Sequence, residues 1–258
     1  MMRMYDAIPD EFQTDCKVYT DGLPYKTGVQ EKYVTKDGQY YIKVDTSDFG
    51  CEGVDEFLTT KLIECSNIIS YEKFLPLQHV SYELCYYNWN NACISKNLGT
   101  LRSAKELIQV YTNEEVSYSC NCSTLMNKVV PFMQRYLSHS YGEAMDVLSL
   151  LTQLDFLTAN TDRSLNNIVF NKDKQLVIID NGRGTTFNPR QGQSNDEMSL
   201  KIQFNGVLKR VPLEVDLDSF SQYIIDERLF DRLKVRYEYL KERLDPDYWY
   251  NSNRDFFI

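Results

Sequence analysis

The sequence predicts an α+β protein with two unlike lobes, a β-rich N-terminal lobe and a mainly helical C-terminal lobe. Three observations predict this class. Strand-like alternation dominates before about residue 98, helical periodicity dominates after it, and one short hairpin pattern interrupts the helical part near residues 167–180. We therefore expect lobes at residues 1–98 and 99–258, joined near Lys96–Thr100. A cleft between two such lobes is a common place for a ligand.

The first predicted element is a hairpin. Apolar and polar residues alternate over Val29–Asp45, and the turn signal Asp37-Gly38 interrupts the alternation. In the second strand, Lys43 falls on the face opposite to Ile42 and Val44. A lysine in mid-strand among apolar residues needs an anion, because an unpaired buried ammonium is costly. A lysine at a sheet edge that extends its amine into solvent fits the pattern equally well.

The other elements follow from hydrophobic periodicity and from turn residues. A helix with apolar residues at i, i+4, i+8 and i+11 comes next, and short strands and further helices follow it. In chain order these predictions are the helix Val54–Cys65, the strands Leu84–Trp89 and Ala92–Ser95, the helices Leu101–Val110, Leu125–Leu137 and Glu143–Thr158, the hairpin strands Asn167–Phe170 and Gln175–Asp180, the polar loop Asn188–Ser199 and the amphipathic helix Leu229–Leu244.

Charge and histidine content exclude several function classes. The chain has 28 Lys and Arg against 37 Asp and Glu, a formal net charge of −9. Such a surface repels phosphate backbones, so we expect neither nucleic acid nor an anionic membrane as the main partner. His79 and His139 are the two histidines, and they lie in separate stretches. A His-rich metal site is therefore nearly excluded, and acid–base chemistry falls to carboxylates or lysines.

The cysteines indicate the compartment. There are seven of them, an odd number, and no C-x-x-C motif occurs. This usage predicts reduced thiols in a cytoplasmic protein rather than a disulfide framework. No apolar run approaches the roughly 18 residues of a membrane helix. The first residues also lack the apolar stretch of a signal peptide.

Two acidic motifs flank the second hairpin. Asp162 and Asn167 form D-x-x-x-x-N directly after the helix Glu143–Thr158, and Asp180 with Gly182 forms D-x-G at the end of the hairpin. Phosphoryl transfer uses such an arrangement: Asp162 would orient the attacking hydroxyl and accept its proton, while Asn167 and Asp180 would hold Mg²⁺ against nucleotide phosphates. Each motif alone is common, because Asp also caps turns. Their order around a hairpin favours the functional interpretation.

Together these residues resemble the HipA-like serine/threonine kinases, which are atypical kinases related in fold to the protein and phosphatidylinositol kinases. The similarity covers roughly Tyr25 to Gly184. It is carried by G-V-Q-E-K at 28–32, Y-I-K at 41–43, V-D-E at the start of the first helix, N-T-D-R-x-x-x-N at 160–167 and I-D-x-G at 179–182. The resemblance implies a two-lobed protein-kinase-like fold that uses ATP and Mg²⁺.

The resemblance also implies roles for single residues. Asp162 and Asn167 would be catalytic, and Asn167 and Asp180 would be the metal ligands. Glu56 would be the helix partner of Lys43, although the helical wheel places Glu56 opposite the face of Leu58 and Leu62. The implied ATP-binding residues are Gly28, Val29, Gln30, Lys32, Lys43 and Glu56.

The predicted function is therefore ATP- and Mg²⁺-dependent phosphorylation of Ser or Thr on a protein, with a protein substrate and an antitoxin-like regulator as implied partners. Two alternatives stay open. The same motifs suit a small-molecule kinase, but Thr161 in place of a histidine before Asp162 favours the protein-kinase side. A catalytically inactive pseudokinase is compatible with Ser164 and Asn166, where family members often have a histidine and a small residue.

Overall fold

A six-stranded sheet forms most of the N-terminal lobe in the computed structural model. The strands of the protein are β1 (Val18–Tyr19), β2 (Leu23–Tyr25), β3 (Lys32–Val34), β4 (Tyr40–Val44), β5 (Leu77–His79), β6 (Tyr82–Tyr87), β7 (Asn90–Lys96), β8 (Arg102–Ser103), β9 (Val169–Phe170) and β10 (Leu176–Ile178). The large sheet has the order β1-β6-β7-β4-β3-β2, so β4 lies in its interior. The structure describes residues 8–10, 12, 16–25, 31–45, 52–113, 121–160, 163–181, 186 and 195–244.

The hairpin predicted over Val29–Asp45 is confirmed in its described residues, and the strands predicted as Leu84–Trp89 and Ala92–Ser95 form a second hairpin with other bounds. Strands β3 and β4 pair antiparallel, and Gly38 in their connection has a φ of +72°, which glycine adopts without strain. Strands β6 and β7 also pair antiparallel, with Tyr87 opposite Asn90. Their turn therefore has two central residues, Asn88 and Trp89, with φ of 47° and 65°. Positive φ at both positions defines the type I′ turn that suits the twist of a hairpin.

Trp89 is a poor residue for this turn, and its replacement by glycine is expected to stabilise the protein. Its side chain is 78% exposed, so glycine loses little packing. A non-glycine residue in the left-handed region costs roughly 1–2 kcal/mol, which glycine avoids. Glycine also raises the conformational entropy of the unfolded chain, and this cancels part of the gain. We expect Trp89→Gly to raise the free energy of unfolding by about 1 kcal/mol, measured by urea unfolding with circular dichroism. Glu83→Gly, in the adjoining strand β6, is the control and should destabilise.

Helix α1 (Glu52–Glu64) is buried on nearly all of its faces. It packs against β6 and β7 of the sheet, and its apolar residues also join the core of the helical lobe. A Cβ at Gly53 would lie 3.3 Å from backbone atoms of Ala92 and Cys93, so glycine permits this close approach. The polar residues buried on this helix are Glu52, Asp55, Glu56, Thr59 and Thr60.

Asp45, which follows β4, and Asp55, in the first turn of α1, are buried carboxyl groups whose pKa values are raised. Burial raises the pKa of Asp45 to about 6, although the Gly53 N–H donates to its Oδ1 at 2.7 Å. The pKa of Asp55 is raised well above its usual value by burial, and the charges of Asp45, Glu56 and Glu52 add to this rise. A carboxyl group whose pKa is raised in the folded state lowers the free energy of unfolding at neutral pH. This destabilisation decreases as the pH falls.

Replacing Asp45 with asparagine should therefore stabilise the protein in a pH-dependent way. Between its ordinary pKa of 3.8 and about 6, the folded protein binds a proton that the unfolded chain does not. We expect Asp45→Asn to gain about 1 kcal/mol at pH 7.5, and the gain should shrink as the pH falls towards 4.5. Urea unfolding at several pH values measures this, with Asp173→Asn on an exposed turn as the control. An equal gain at every pH would contradict the assignment.

A second, four-stranded sheet contains segments from both sides of the predicted linker. Its order is β5-β10-β9-β8, with β5 parallel to β10. The predicted hairpin around Asn171–Lys174 is confirmed as the antiparallel pair β9 and β10. Pairing with β5 places the end of β10 beside the N-terminal lobe, since His79 lies opposite Ile178. This sheet therefore brings Asp180, two residues further on, towards α1.

The C-terminal part is mainly helical. Its long central helix, α6 (Tyr141–Thr158), starts with a capping box, in which Ser140 and Glu143 exchange hydrogen bonds. The helix ends at Thr158, and its C-cap residue Ala159 has a φ of +51°, so the chain turns away before Asn160, the first residue of the N-T-D-R loop. The helices after α1 are α2 (Ile68–Tyr71), α3 (Ala104–Thr112), α4 (Cys122–Thr124), α5 (Val130–Tyr136), α6 (Tyr141–Thr158), α7 (Glu197–Phe204), α8 (Leu217–Ser221) and α9 (Glu227–Leu244), with a π-helical segment, Leu125–Val129, between α4 and α5.

Two predicted boundaries were wrong because capping residues were overlooked. The helix predicted from Leu101 begins at Ala104, since Ser103 caps it by accepting from the Glu106 N–H at 3.1 Å. The polar loop predicted over Asn188–Ser199 ends earlier, because Asp196 caps α7 through the Ser199 N–H at 2.9 Å. Residues 188–194 of that loop lie outside the described residues.

Among the described helices, none has both the length and the apolar character needed to cross a membrane.

Candidate functional site

Lys43 is the centre of a buried ion-pair cluster. It lies in the interior strand β4, with Cys93 of β7 and Lys32 of β3 as its register partners, and is 7% exposed. Its Nζ donates to Oε1 of Glu56 on α1 and, at 3.1 Å, to Oδ1 of Asp180 after β10. The cluster therefore joins the sheet, the helix and the D-x-G segment, which are far apart in the sequence.

Lys43 and Asp180 are both charged at neutral pH. Burial alone would favour the neutral amine of Lys43, but the carboxylates of Glu56 and Asp180, together with Tyr82, raise its pKa well above the usual value. The Lys43 ammonium in turn lowers the pKa of Asp180 well below its usual value, against the effect of burial. The Asp180 side chain stays 33% exposed. Asp180 is therefore an ionised carboxylate with access to solvent.

Glu56 holds two parts of the site at once. One carboxylate oxygen accepts from Lys43, and the other accepts from the backbone N–H of Asn181 at 3.0 Å. Asp180 itself has a φ of +59°, a left-handed conformation that Asp tolerates better than most residues. Glu56 is 1% exposed, so it acts through Lys43 and Asn181 and not by contact with a ligand in open space.

A cleft of about 840 Å³ lies in front of Lys43 and Asp180. This volume falls in the range of small-molecule and cofactor sites. Its walls combine apolar side chains with three lysines, Lys32, Lys43 and Lys96. The remaining lining residues are Tyr41, Val80, Tyr82, Ser95, Asn97, Leu98, Gly99, Thr100, Leu101, Ser103, Glu106, Asn166, Asn167, Val169, Ile179 and Asp180.

Four of the predicted site residues line the cleft, one lies behind it, and four lie outside the described residues. Lys32, Lys43, Asn167 and Asp180 all line the cleft, whereas Glu56 is placed behind Lys43. The position of Lys43 in an interior strand shows that the edge-lysine interpretation was wrong. The predicted residues Gly28, Val29, Gln30 and Asp162 lie outside the described residues.

Arg163 is a central residue of the site that the sequence analysis missed. Its guanidinium binds both oxygens of Asp155 in the last turn of α6, with Nε to Oδ2 at 3.0 Å and Nη2 to Oδ1 at 2.9 Å. It also donates to backbone carbonyls on each side of the hairpin, those of Asn167 and Ile179. The available signal was an arginine next to the predicted catalytic Asp and an acidic residue, Asp155, in the mainly apolar last turns of the preceding helix.

Hard oxygen ligands for a divalent cation are present at the cleft. The ionised carboxylate of Asp180 and the side-chain amide of Asn167 fit Mg²⁺, which commonly takes one or two protein carboxylates and completes its shell with phosphates and water. Within the described part of the chain, no group of three Asp, Glu, His or Cys side chains could hold a metal by itself.

Comparison with solved structures identifies the fold. The proinflammatory kinase CtkA of Helicobacter pylori aligns with a TM-score of 0.55 and 13% identity over 88% of this chain and 92% of that chain. The GDP and kanamycin complex of APH(2")-IIia aligns with a TM-score of only 0.30 and 12% identity over 94% and 97% of the two chains. No protein-family profile and no curated protein match the sequence. The likeness to CtkA establishes a protein-kinase-like fold, which confirms the predicted fold class.

Proposed function

We propose that the protein is an ATP- and Mg²⁺-dependent phosphotransferase that transfers the γ-phosphoryl group to a Ser or Thr hydroxyl of a protein. The observation that carries this proposal is the contact of one buried lysine, Lys43, with both Glu56 and Asp180 at the wall of the cleft. In protein kinases, a Lys–Glu ion pair and a metal-binding Asp must both be in place for activity. The described residues include such an ion pair, Lys43–Glu56, with the carboxylate of Asp180 in contact with the same lysine, which supports the proposal.

The cleft offers both apolar surface and positive charge to a nucleotide. Val80, Leu98, Val169 and Ile179 provide apolar surface for a base. Lys32 and Lys43 provide positive charge for phosphates at the side of Asp180. Bound Mg²⁺ would neutralise charge on the phosphates, and Asn167 and Asp180 would hold it there. Asp162 is assigned by sequence alone as the residue that orients the acceptor hydroxyl and accepts its proton.

The acceptor class is supported by the resemblance to HipA-like kinases in the motifs G-V-Q-E-K and N-T-D-R-x-x-x-N. Protein Ser/Thr specificity, the HipA-like family and an antitoxin-like regulator are parts of the proposal that rest on this resemblance alone. The negative net charge of −9 is compatible with ATP, because Lys32 and Lys43 supply local positive charge at the cleft.

Incubation with γ-labelled ATP and Mg²⁺ tests the proposal. The assay follows ADP release and label on the protein itself and on added protein acceptors, and mass spectrometry locates any phosphorylated residue. We expect label on Ser or Thr. ADP release that depends on a small-molecule acceptor, with no labelled protein, would overturn the assignment in favour of a small-molecule kinase. Stabilisation by Mg²⁺ and ATP without any ADP release would instead indicate a pseudokinase.

A further inference from the structure

We infer that Arg163 is a positioning residue that fixes the relative placement of Asn167 and Asp180. This inference rests on the proposed function, in which these two residues hold the metal ion. Arg163 follows directly after the predicted catalytic Asp162, and its side chain is 7% exposed. It touches neither nucleotide nor metal in the proposed arrangement, so its effect must pass through the groups that it binds.

The guanidinium connects the segments of Asn167 and Asp180 through two backbone carbonyls and the side chain of Asn181. Its Nη1 donates to the carbonyl oxygen of Asn167 at 3.0 Å and to that of Ile179, the residue before Asp180, at 2.8 Å. Its Nη2 donates to Oδ1 of Asn181, the residue after Asp180, at 2.8 Å. One rigid planar group therefore spans both segments, and a change in its position would move both of them.

Asp155 anchors this guanidinium to the central helix. Both oxygens of Asp155 accept from Arg163, and Oδ1 also accepts from Asn160 Nδ2 at 3.1 Å at the start of the loop. The side chains of Asp155 and Arg163 are 13% and 7% exposed, so these charge-assisted bonds are shielded from water. Through Arg163, the segments of Asn167 and Asp180 are therefore held in place against α6, a helix of 18 residues.

Only arginine has the donor geometry that this arrangement uses. Its guanidinium presents five N–H donors in a planar fork, whereas the lysine ammonium is a compact point charge with three rotatable donors. Lysine at position 163 could keep an ion pair with Asp155, but it could not bind the carboxylate, both carbonyls and the Asn181 amide in one plane. Arg163→Lys therefore separates the charge of Arg163 from its positioning role.

Mn²⁺ binding measured by electron paramagnetic resonance in the presence of ATP tests the inference without relying on turnover. Loss of an outer partner of a metal site typically lowers metal affinity about 10–100-fold. We expect Arg163→Lys and Arg163→Met to bind Mn²⁺ at least about tenfold more weakly than the wild type. Metal-free ATP binding, measured by calorimetry, should change less than about twofold because Lys32 and Lys43 are untouched.

Two further variants keep the test decisive. Arg210 forms an ion pair with Asp146, another acidic residue of α6. Arg210→Met removes this pair and should leave Mn²⁺ affinity unchanged. If both Arg163 variants fail to fold, Asp155→Asn releases the guanidinium from α6 and should weaken Mn²⁺ binding on its own. Wild-type Mn²⁺ affinity in a folded Arg163 variant, or in Asp155→Asn where the Arg163 variants do not fold, would overturn the inference alone. A wild-type protein that binds no Mn²⁺ with ATP would overturn the proposed function, and the inference with it.

Discussion

Replacing Lys43 with methionine is expected to destabilise the protein by about 3–5 kcal/mol, because removal of one partner leaves a buried charge uncompensated. Glu56 is 1% exposed, and it accepts from the Lys43 ammonium and from the Asn181 N–H, of which Lys43 carries a charge and the N–H does not. The loss should appear as a lower urea midpoint with an unchanged m-value. Phosphoryl transfer should fall at least about 10²-fold in the same variant, since a preorganised charge at the phosphates is lost.

The double variant Lys43→Met/Glu56→Gln separates these two effects. Glutamine carries no charge, and its carbonyl oxygen can still accept from the Asn181 N–H. We expect the double variant to recover at least half of the lost stability but none of the lost phosphoryl transfer. A double variant as unstable as Lys43→Met would show that the ion pair is not the cause of the destabilisation. Recovered activity would contradict the role of Lys43 at the phosphates.

The local elements were predictable because their signals are local. The turn residues Asp37-Gly38 and Asn171–Lys174 mark two hairpins that the structure confirms. The short strands β5 and β8, of three and two residues, were not predicted. Periodicity needs more residues than these strands contain, and their existence depends on pairing with distant segments. The sheet that brings Asp180 towards α1 was therefore outside the reach of pattern analysis.

Glu56 shows why the helical wheel gave the wrong indication. The wheel places Glu56 opposite Leu58 and Leu62 and assumes that a helix has one buried and one exposed face. Helix α1 lies between the sheet and the helical core, so both faces are buried. A charged residue on the second face then needs a charged partner, and Lys43 is that partner. The family resemblance identified this pair, whereas the periodicity of the helix could not.

The position of Lys43 in the sheet was ambiguous, and the role of Arg163 was missed, for a related reason. Whether a lysine lies in an edge or an interior strand depends on the order of strands in the sheet, which alternation does not encode. Arg163 binds a helix before it and a hairpin after it, and such bridging contacts leave no periodic signal in the sequence. In both cases the chemistry is set by side chains that satisfy buried polar groups from distant parts of the chain.

Replacing Asp180 with asparagine should remove phosphoryl transfer while leaving the fold intact. Asn181 and Lys43 remain bound to Glu56, and asparagine tolerates the φ of +59° found at this position. The variant loses the anionic oxygen that would bind the metal ion, and such metal stabilisation is worth several kcal/mol. We expect transfer of labelled phosphate to fall about 10³-fold, which corresponds to about 4 kcal/mol in the activation barrier.

The pKa of Asp180 makes this prediction specific. The Lys43 ammonium lowers that pKa well below its usual value, so Asp180 stays ionised throughout the range from about pH 5 to 8. Wild-type activity should therefore show no loss from protonation of Asp180 in this range, and Asp180→Asn should be impaired equally across it. Asp173→Asn, in the turn of the same hairpin, is the matched control and should keep full activity. More than a tenth of wild-type transfer in Asp180→Asn would contradict the assignment of Asp180 as a metal ligand, because an amide cannot replace the charge that this role requires.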